Sequence, residues 1–198
     1  MKTGFRALAL LCVSFVACGV LHAQAFPAAT RLFTFSAFGA ATGTYTGLDG
    51  GKNLGITAGV DMNFKPYHLF YPSAEVRGTY PIDDGQVAAE RNVLFGPRIE
   101  RYYGIFRPYV DFLYGRARID YQNGGLPNPA GTLLYIDSVS NVFGVGGGVN
   151  LTLTDHLALK IDGQFQHYAV PVTTSGSIYS EPISVGVVYR FGSPPLKP

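Results

Sequence analysis

Between Leu54 and Lys65 the residues Leu54, Ile56, Ala58, Val60, Met62 and Phe64 alternate without exception with Gly55, Thr57, Gly59, Asp61, Asn63 and Lys65. An apolar period of two, sustained over such a stretch, predicts a strand with two unlike faces. The same alternation recurs over Ser73–Tyr80, Asn92–Glu100, Val142–Leu153, Leu157–Gln166 and Ile183–Phe191. Within the second of these, Pro97 predicts a bulge or local break, because proline cannot donate to a ladder. Two weaker runs, Leu32–Thr42 and Pro108–Ala117, bring the expected strands to eight, an even number.

The connections alternate in length. Compact ones cover Pro66–Pro72, Tyr102–Arg107 and Thr154–His156, whereas Gly43–Asn53, Pro81–Arg91, Arg118–Ser140 and Tyr168–Pro182 are longer and polar or rich in glycine and proline. Strands and connections together predict an all-β fold, an eight-stranded antiparallel up-and-down transmembrane β-barrel with its long loops at one end. The longest loop, Arg118–Ser140, combines turn formers such as Asn123, Gly124 and Pro127 with apolar Leu133, Leu134, Tyr135 and Ile136, and is expected to extend as strand above the membrane.

Alternation does not say which face meets solvent, since a soluble lipocalin-type barrel also alternates. The polar face decides. On a soluble barrel it would be the exterior and rich in Lys and Glu, but here Gly, Ser, Thr and Asn dominate it, as suits a narrow interior. Its charges come in both signs on neighbouring strands: Glu75 and Arg77, Arg98 and Glu100, Asp111, Lys160 and Asp162, and Arg190. Buried charges persist only when paired, so these residues predict a structural, salt-bridged lumen. Tyr and Phe gather at the short-turn end (Phe64, Tyr67, Phe70, Tyr71; Tyr102, Tyr103, Phe106, Tyr109; Tyr189, Phe191), as an interfacial girdle would.

Composition adds an export signal and removes several chemistries. Lys2 and Arg6 precede an uncharged stretch from Ala7 to Leu21, and His22–Ala23 follow it. That order predicts a signal peptide over residues 1–23, a barrel over 24–191 and a short tail over 192–198. A rival cut lies at Cys18, where Val16–Ala17–Cys18 faintly resembles a lipoprotein box with Phe15 in place of the usual Leu. Both cysteines, Cys12 and Cys18, fall in the leader, so ordinary cleavage leaves no thiol for a disulfide or metal. Loss of Lys2 and Arg6 takes the 15 basic residues to 13, equal to the 13 acidic ones. That balance gives no reason to expect nucleic acid as a partner.

Little else carries chemistry. Cleavage would leave three histidines, His68, His156 and His167; the first two fall in expected turns, and the three share no metal-ligand spacing. His167, with Thr173, Thr174 and Ser175 beyond it, is the sole candidate for a rim lipid hydrolase, and those hydroxyls have no fixed spacing to it. The run Gly144, Gly146, Gly147, Gly148 lacks the Lys-Ser/Thr pair of a phosphate loop, and Asp83–Asp84–Gly85 is a turn signal rather than a calcium loop. The expectation is therefore a non-enzymatic protein without cofactor.

The stretches LFGPR (Leu94–Arg98), RPYVDFLYG (Arg107–Gly115) and the closing VGVVYRF (Val185–Phe191), set in this strand order, resemble the small outer-membrane β-barrel family typified by the OmpA barrel domain and OmpX. The resemblance implies residence in the outer membrane after passage through the periplasm. Outer-membrane lipid, lipopolysaccharide and the barrel-assembly machinery are the partners it implies. Tyr189 and Phe191 match the aromatic assembly signal of the last strand, although seven residues follow Phe191 here. The expected role is structural or surface-interacting, with loops outside the cell and any surface ligand unidentified. The rivals are a narrow pore and, behind it, a rim hydrolase.

Overall fold

The structure, a computed structural model, describes residues 33–191. The expected leader over 1–23 and tail over 192–198 lie outside the described residues.

Eight long strands close into one barrel: β1 (Phe33–Tyr45), β2 (Lys52–Phe64), β3 (Phe70–Asp83), β4 (Ala88–Arg101), β5 (Phe106–Tyr121), β8 (Asp137–Thr152), β9 (Leu157–Ala169) and β10 (Ser177–Phe191). The two-residue strands β6 (Leu126–Pro127) and β7 (Leu134–Tyr135) pair with each other inside the longest loop. Every neighbouring pair is antiparallel, and β1 closes on β10 from Phe35↔Phe191 to Tyr45↔Glu181.

A ladder row that starts at Gly43 runs through Ile183, Gly163, Gly147, Val110 and Ile99 to Pro72; the adjacent Ser73 pairs with Asn63 and Asn63 with Thr34, so the row continued in that register meets β1 again at Phe33, ten residues from its start. That stagger tilts the strands by roughly 40° and leaves a bore that side chains can fill.

The alternation of the sequence is the alternation of the wall. Leu54, Ile56, Ala58 and Val60, and likewise Ile183, Val185 and Val187, are exposed on the outside, while the alternate residues Gly55, Thr57, Asp61, Ser184 and Val188 are buried within. Outward apolar residues on a closed barrel have lipid as their solvent.

The ladder with β5 lapses at Gly96 and Pro97 and resumes in the same register at Arg98↔Asp111, so the expected irregularity is a break without a bulge. Pro182 interrupts the β9–β10 ladder in the same way. The register shift occurs instead between Leu54 and Gly55 against β3.

Two of the short turns are built alike. Tyr67 and Phe70 exchange both backbone hydrogen bonds around His68–Leu69, and Tyr103 and Phe106 do so around Gly104–Ile105. His68 (φ 54°) occupies the left-handed position that Gly104 (φ 62°) fills in the other turn.

At the opposite end the strands run further than the alternation indicates. β3 continues to Asp83, β4 starts at Ala88, β5 reaches Tyr121 and β8 begins at Asp137, so the connections are shorter than expected from sequence. There the strands leave the apolar slab, and the contrast on which the period depends fades on β3, β4 and β8 and reverses on β5, where Ala117, Ile119 and Tyr121 are buried between Arg116, Arg118 and Asp120. The β5–β8 ladder extends to Asp120↔Asp137, which continues the longest connection as strand.

Candidate functional site

Inside the barrel, the half next to the short turns is charged. On β3, Glu75 receives Arg77 beside it, Arg98 of β4 at 3.2 Å and Lys160 of β9 at 3.9 Å. Arg77 crosses the bore to Asp162 (2.6 Å) and Asp111 (3.3 Å). Arg98 also reaches Asp61 and Glu100, each at 3.0 Å, and Glu100 faces Arg107 at 3.6 Å.

Tyr109 holds the centre. Its hydroxyl donates to Asp162 at 2.6 Å, while the Arg98 guanidinium lies 3.7 Å from its ring centroid and the Lys160 ammonium 4.5 Å. Lys160 is 4.2 Å from the Phe38 ring as well, so two aromatic faces and one carboxylate take the place of hydration for this buried cation.

Seven of the residues singled out by sequence, Glu75, Arg77, Arg98, Glu100, Asp111, Lys160 and Asp162, therefore lie in one network. Arg190 sits at its edge and donates to the Thr152 hydroxyl at 3.3 Å rather than to a carboxylate. Sequence reasoning missed Asp61 and Arg107. Asp61 shares the polar face of the cleanest run and could have been read from it, whereas Arg107 stood in an expected turn. Tyr189 and Phe191 end β10 on the outer face, their rings 5.0 Å apart.

The glycine run of β8 makes this packing possible. A Cβ on Gly146 would collide with the Gln164 amide, which donates to Asp111 at 3.0 Å. One on Gly148 would come within 2.7 Å of the Tyr109 hydroxyl.

Toward the loop end the filling changes. Thr42 bridges Thr57 (2.6 Å) and Ser184 (2.8 Å), and Thr57 meets Thr79 (2.9 Å), forming a hydroxyl belt across four strands. On the other side Leu94, Leu113, Ala117, Ile119, Val142, Tyr168 and Ile178 form a buried apolar cluster, with Leu48 and Val170 brought in from the loops. Glu90 lies beside it and accepts from Ser180 at 2.6 Å.

The outer wall has aromatic residues at both ends. Two residues expected in the short-turn girdle turn inward instead, because they share the parity of the lumen residues on their strands: Tyr109 is buried in the bore and Tyr71 lines its mouth beside Glu100 and Arg107. At the other end of the wall Tyr45, Tyr80, Tyr114 and Tyr179 mark a second ring near the loops. His167 also faces outward, its ring 5.1 Å from that of Tyr179, while the Thr173 and Ser175 hydroxyls bond to the Ser177 carbonyl inside their own loop.

Residues 8–191 match the family described as outer membrane protein beta-barrel domain. The chain belongs to this family. It is accordingly an outer-membrane barrel, and the apolar wall and the lipid it requires have the same explanation. Comparison with curated protein sequences gives no match.

Among solved structures, Neisserial surface protein A is similar with a TM-score of 0.51 at 15% identity, over 80% of this chain and 97% of that one. Ail, the attachment invasion locus protein of Yersinia pestis, gives a TM-score of 0.46 at 12% identity, over 80% and 97% of the two chains. The N-terminal beta-barrel domain of Pseudomonas aeruginosa OprF gives 0.40 at 14% identity, over 79% and 97%. At these identities the first likeness speaks for the fold alone.

Proposed function

We propose that this outer-membrane barrel is a non-enzymatic structural and surface-interaction protein, exported through the periplasm behind residues 1–23 and oriented with its loop end outside the cell. Tyr189 and Phe191 are the signal by which the assembly machinery takes up its last strand.

The observation that carries this reading is the asymmetry of the loop end. β5 and β8 stay paired up to Asp120↔Asp137, but β9 pairs with β8 only as far as Val142. The β8 arm of the hairpin thus rises past β9 while its β5 arm stays paired with β4 up to Ala88↔Tyr121, and Asp137–Asn141 has β5 alone as its neighbour in the sheet. At its tip Leu133, Leu134 and Ile136 are 58%, 63% and 70% exposed. Apolar side chains in that position have no lipid to meet and suit contact with another surface.

Replacing residues 123–134 with a short Asn-Gly turn tests the proposal. Heat-modifiable gel mobility should persist while cell-to-cell and cell-to-surface adhesion falls; unchanged adhesion would sink the reading. The filled lumen favours anchoring over conduction, and stable unitary currents in planar bilayers would overturn that half of it.

A further inference from the structure

The outer wall is apolar through its middle and becomes cationic on one side near the loops. Arg116 on β5 points outward ten residues beyond Phe106 of the short-turn girdle. At ~3.3 Å per residue and a tilt of ~40° this is about 25 Å, the height of the apolar band of such barrels. The row beneath it holds Phe95, Tyr114 and Phe143, with ring centroids 6.0 and 5.0 Å apart.

One row above, Arg91 and Arg118 face each other directly across the β4–β5 ladder. Like charges in that position repel unless something bridges them. Asp120 accepts from Arg91 and, at 2.9 Å, from Arg118, while Asp137 accepts from Arg118 at 2.6 Å. The two carboxylates come from the row above, hold the upper pair of arginines, and leave Arg116 with no carboxylate within 4.0 Å among the described residues.

Beside the arginines the wall dips. Ala58 and Gly78 are register partners on β2 and β3, and with Tyr80 and Val93 they shape an open groove of about 650 Å³ with Arg91, Arg116 and Arg118 along its upper edge. A fork of guanidinium donors at the headgroup level matches a phosphate, and a trough of small apolar residues below it matches a hydrocarbon chain.

We infer that this groove binds a phosphorylated, acylated saccharolipid of the outer leaflet, the lipid A part of lipopolysaccharide. Its phosphate sits on Arg116 with Arg118 and Arg91 alongside, and an acyl chain fills the Ala58–Gly78 trough. The inference rests on the proposed orientation only for which leaflet supplies the lipid. Protease access to residues 122–136 on intact cells tests that orientation separately, and binding in detergent does not depend on it.

The test is titration of the membrane-extracted protein in nonionic detergent with bisphosphorylated lipid A, with its dephosphorylated form and with phosphatidylglycerol, read by native mass spectrometry. Arg116→Ala should weaken lipid A binding by roughly tenfold or more and leave the weaker binding of the dephosphorylated form unchanged. Gly78→Leu should weaken both forms. A Cβ there meets only the Asn92 carbonyl at 3.6 Å and Val93 Cγ2 at 3.9 Å, so the added side chain enters the trough without moving backbone.

Arg101→Ala, which removes an outward arginine at the short-turn end, should change nothing in this assay. Heat-modifiable mobility reports that each variant is folded. Equal lipid A binding by wild type and Arg116→Ala would overturn the site, and phosphatidylglycerol displacing lipid A at equal concentration would reduce it to general attraction for anionic lipid.

Discussion

The two halves of the lumen solve one packing problem with opposite chemistry. Near the short turns Asp61, Glu75, Glu100, Asp111 and Asp162 interleave with Arg77, Arg98, Arg107 and Lys160, and two of the cations, Arg98 and Lys160, lie against the Tyr109 ring. Near the loops Leu94, Leu113, Ile119, Val142 and Tyr168 fill the same bore with hydrocarbon and ring. The charged half is stabilised only as a set, since each ion there has given up its hydration and is compensated by several partners. The apolar half consists of contacts that can be lost one at a time.

Breaking the charged half should have the largest effect. Glu75→Ala leaves Arg77, Arg98 and Lys160 facing one another without their common anion, and should cost ~3–5 kcal/mol in urea unfolding of the refolded barrel. Because the side chains of Glu75 and Arg77 are 0% and 2% exposed, the loss should hardly change between low and high salt. A loss below 1 kcal/mol would mean that the network is compensated by water or ions.

Leu113→Ala, in the apolar half, should cost about 3 kcal/mol through the cavity it leaves, and without the collapse of a network. The two effects should add when the substitutions are combined. Strong non-additivity would join the two halves into one unit.

Gly146→Ala tests the space that the charged half needs. The added methyl meets the Gln164 amide, and displacing that donor from Asp111 should cost about 1–3 kcal/mol, read as a lower urea midpoint. The smallest expected effect is Tyr168→Phe, which removes a hydroxyl that donates to Gln166 at 2.6 Å and accepts from Asn92 at 3.1 Å but keeps the ring in the apolar cluster. It should cost ~1 kcal/mol.

Much of this molecule was legible in the chain. Each long strand was visible wherever its two faces meet different surroundings, and the charges on the polar face could be read as internal from the company they keep. Legibility failed at the loop end. The upper parts of β3, β4 and β8 lose the period and that of β5 reverses it, with Ala117, Ile119 and Tyr121 turned inward and Arg116, Arg118 and Asp120 outward, so Arg91 and Arg118 read as loop residues and the outward arginine cluster went unseen. Glu90 was lost for the same reason.

Which face of each strand turns inward was determined by the sequence alone, because side chains on an extended backbone alternate with a period that no packing can change. Which inward residues meet was decided only by the closed barrel. Arg77 and Asp162 are 85 residues apart, on strands that share no ladder, and a stagger of ten residues around the ring brings them to 2.6 Å. That stagger belongs to all eight pairings at once, as does the meeting of three arginines above a groove of small residues, and no single stretch of chain contains either.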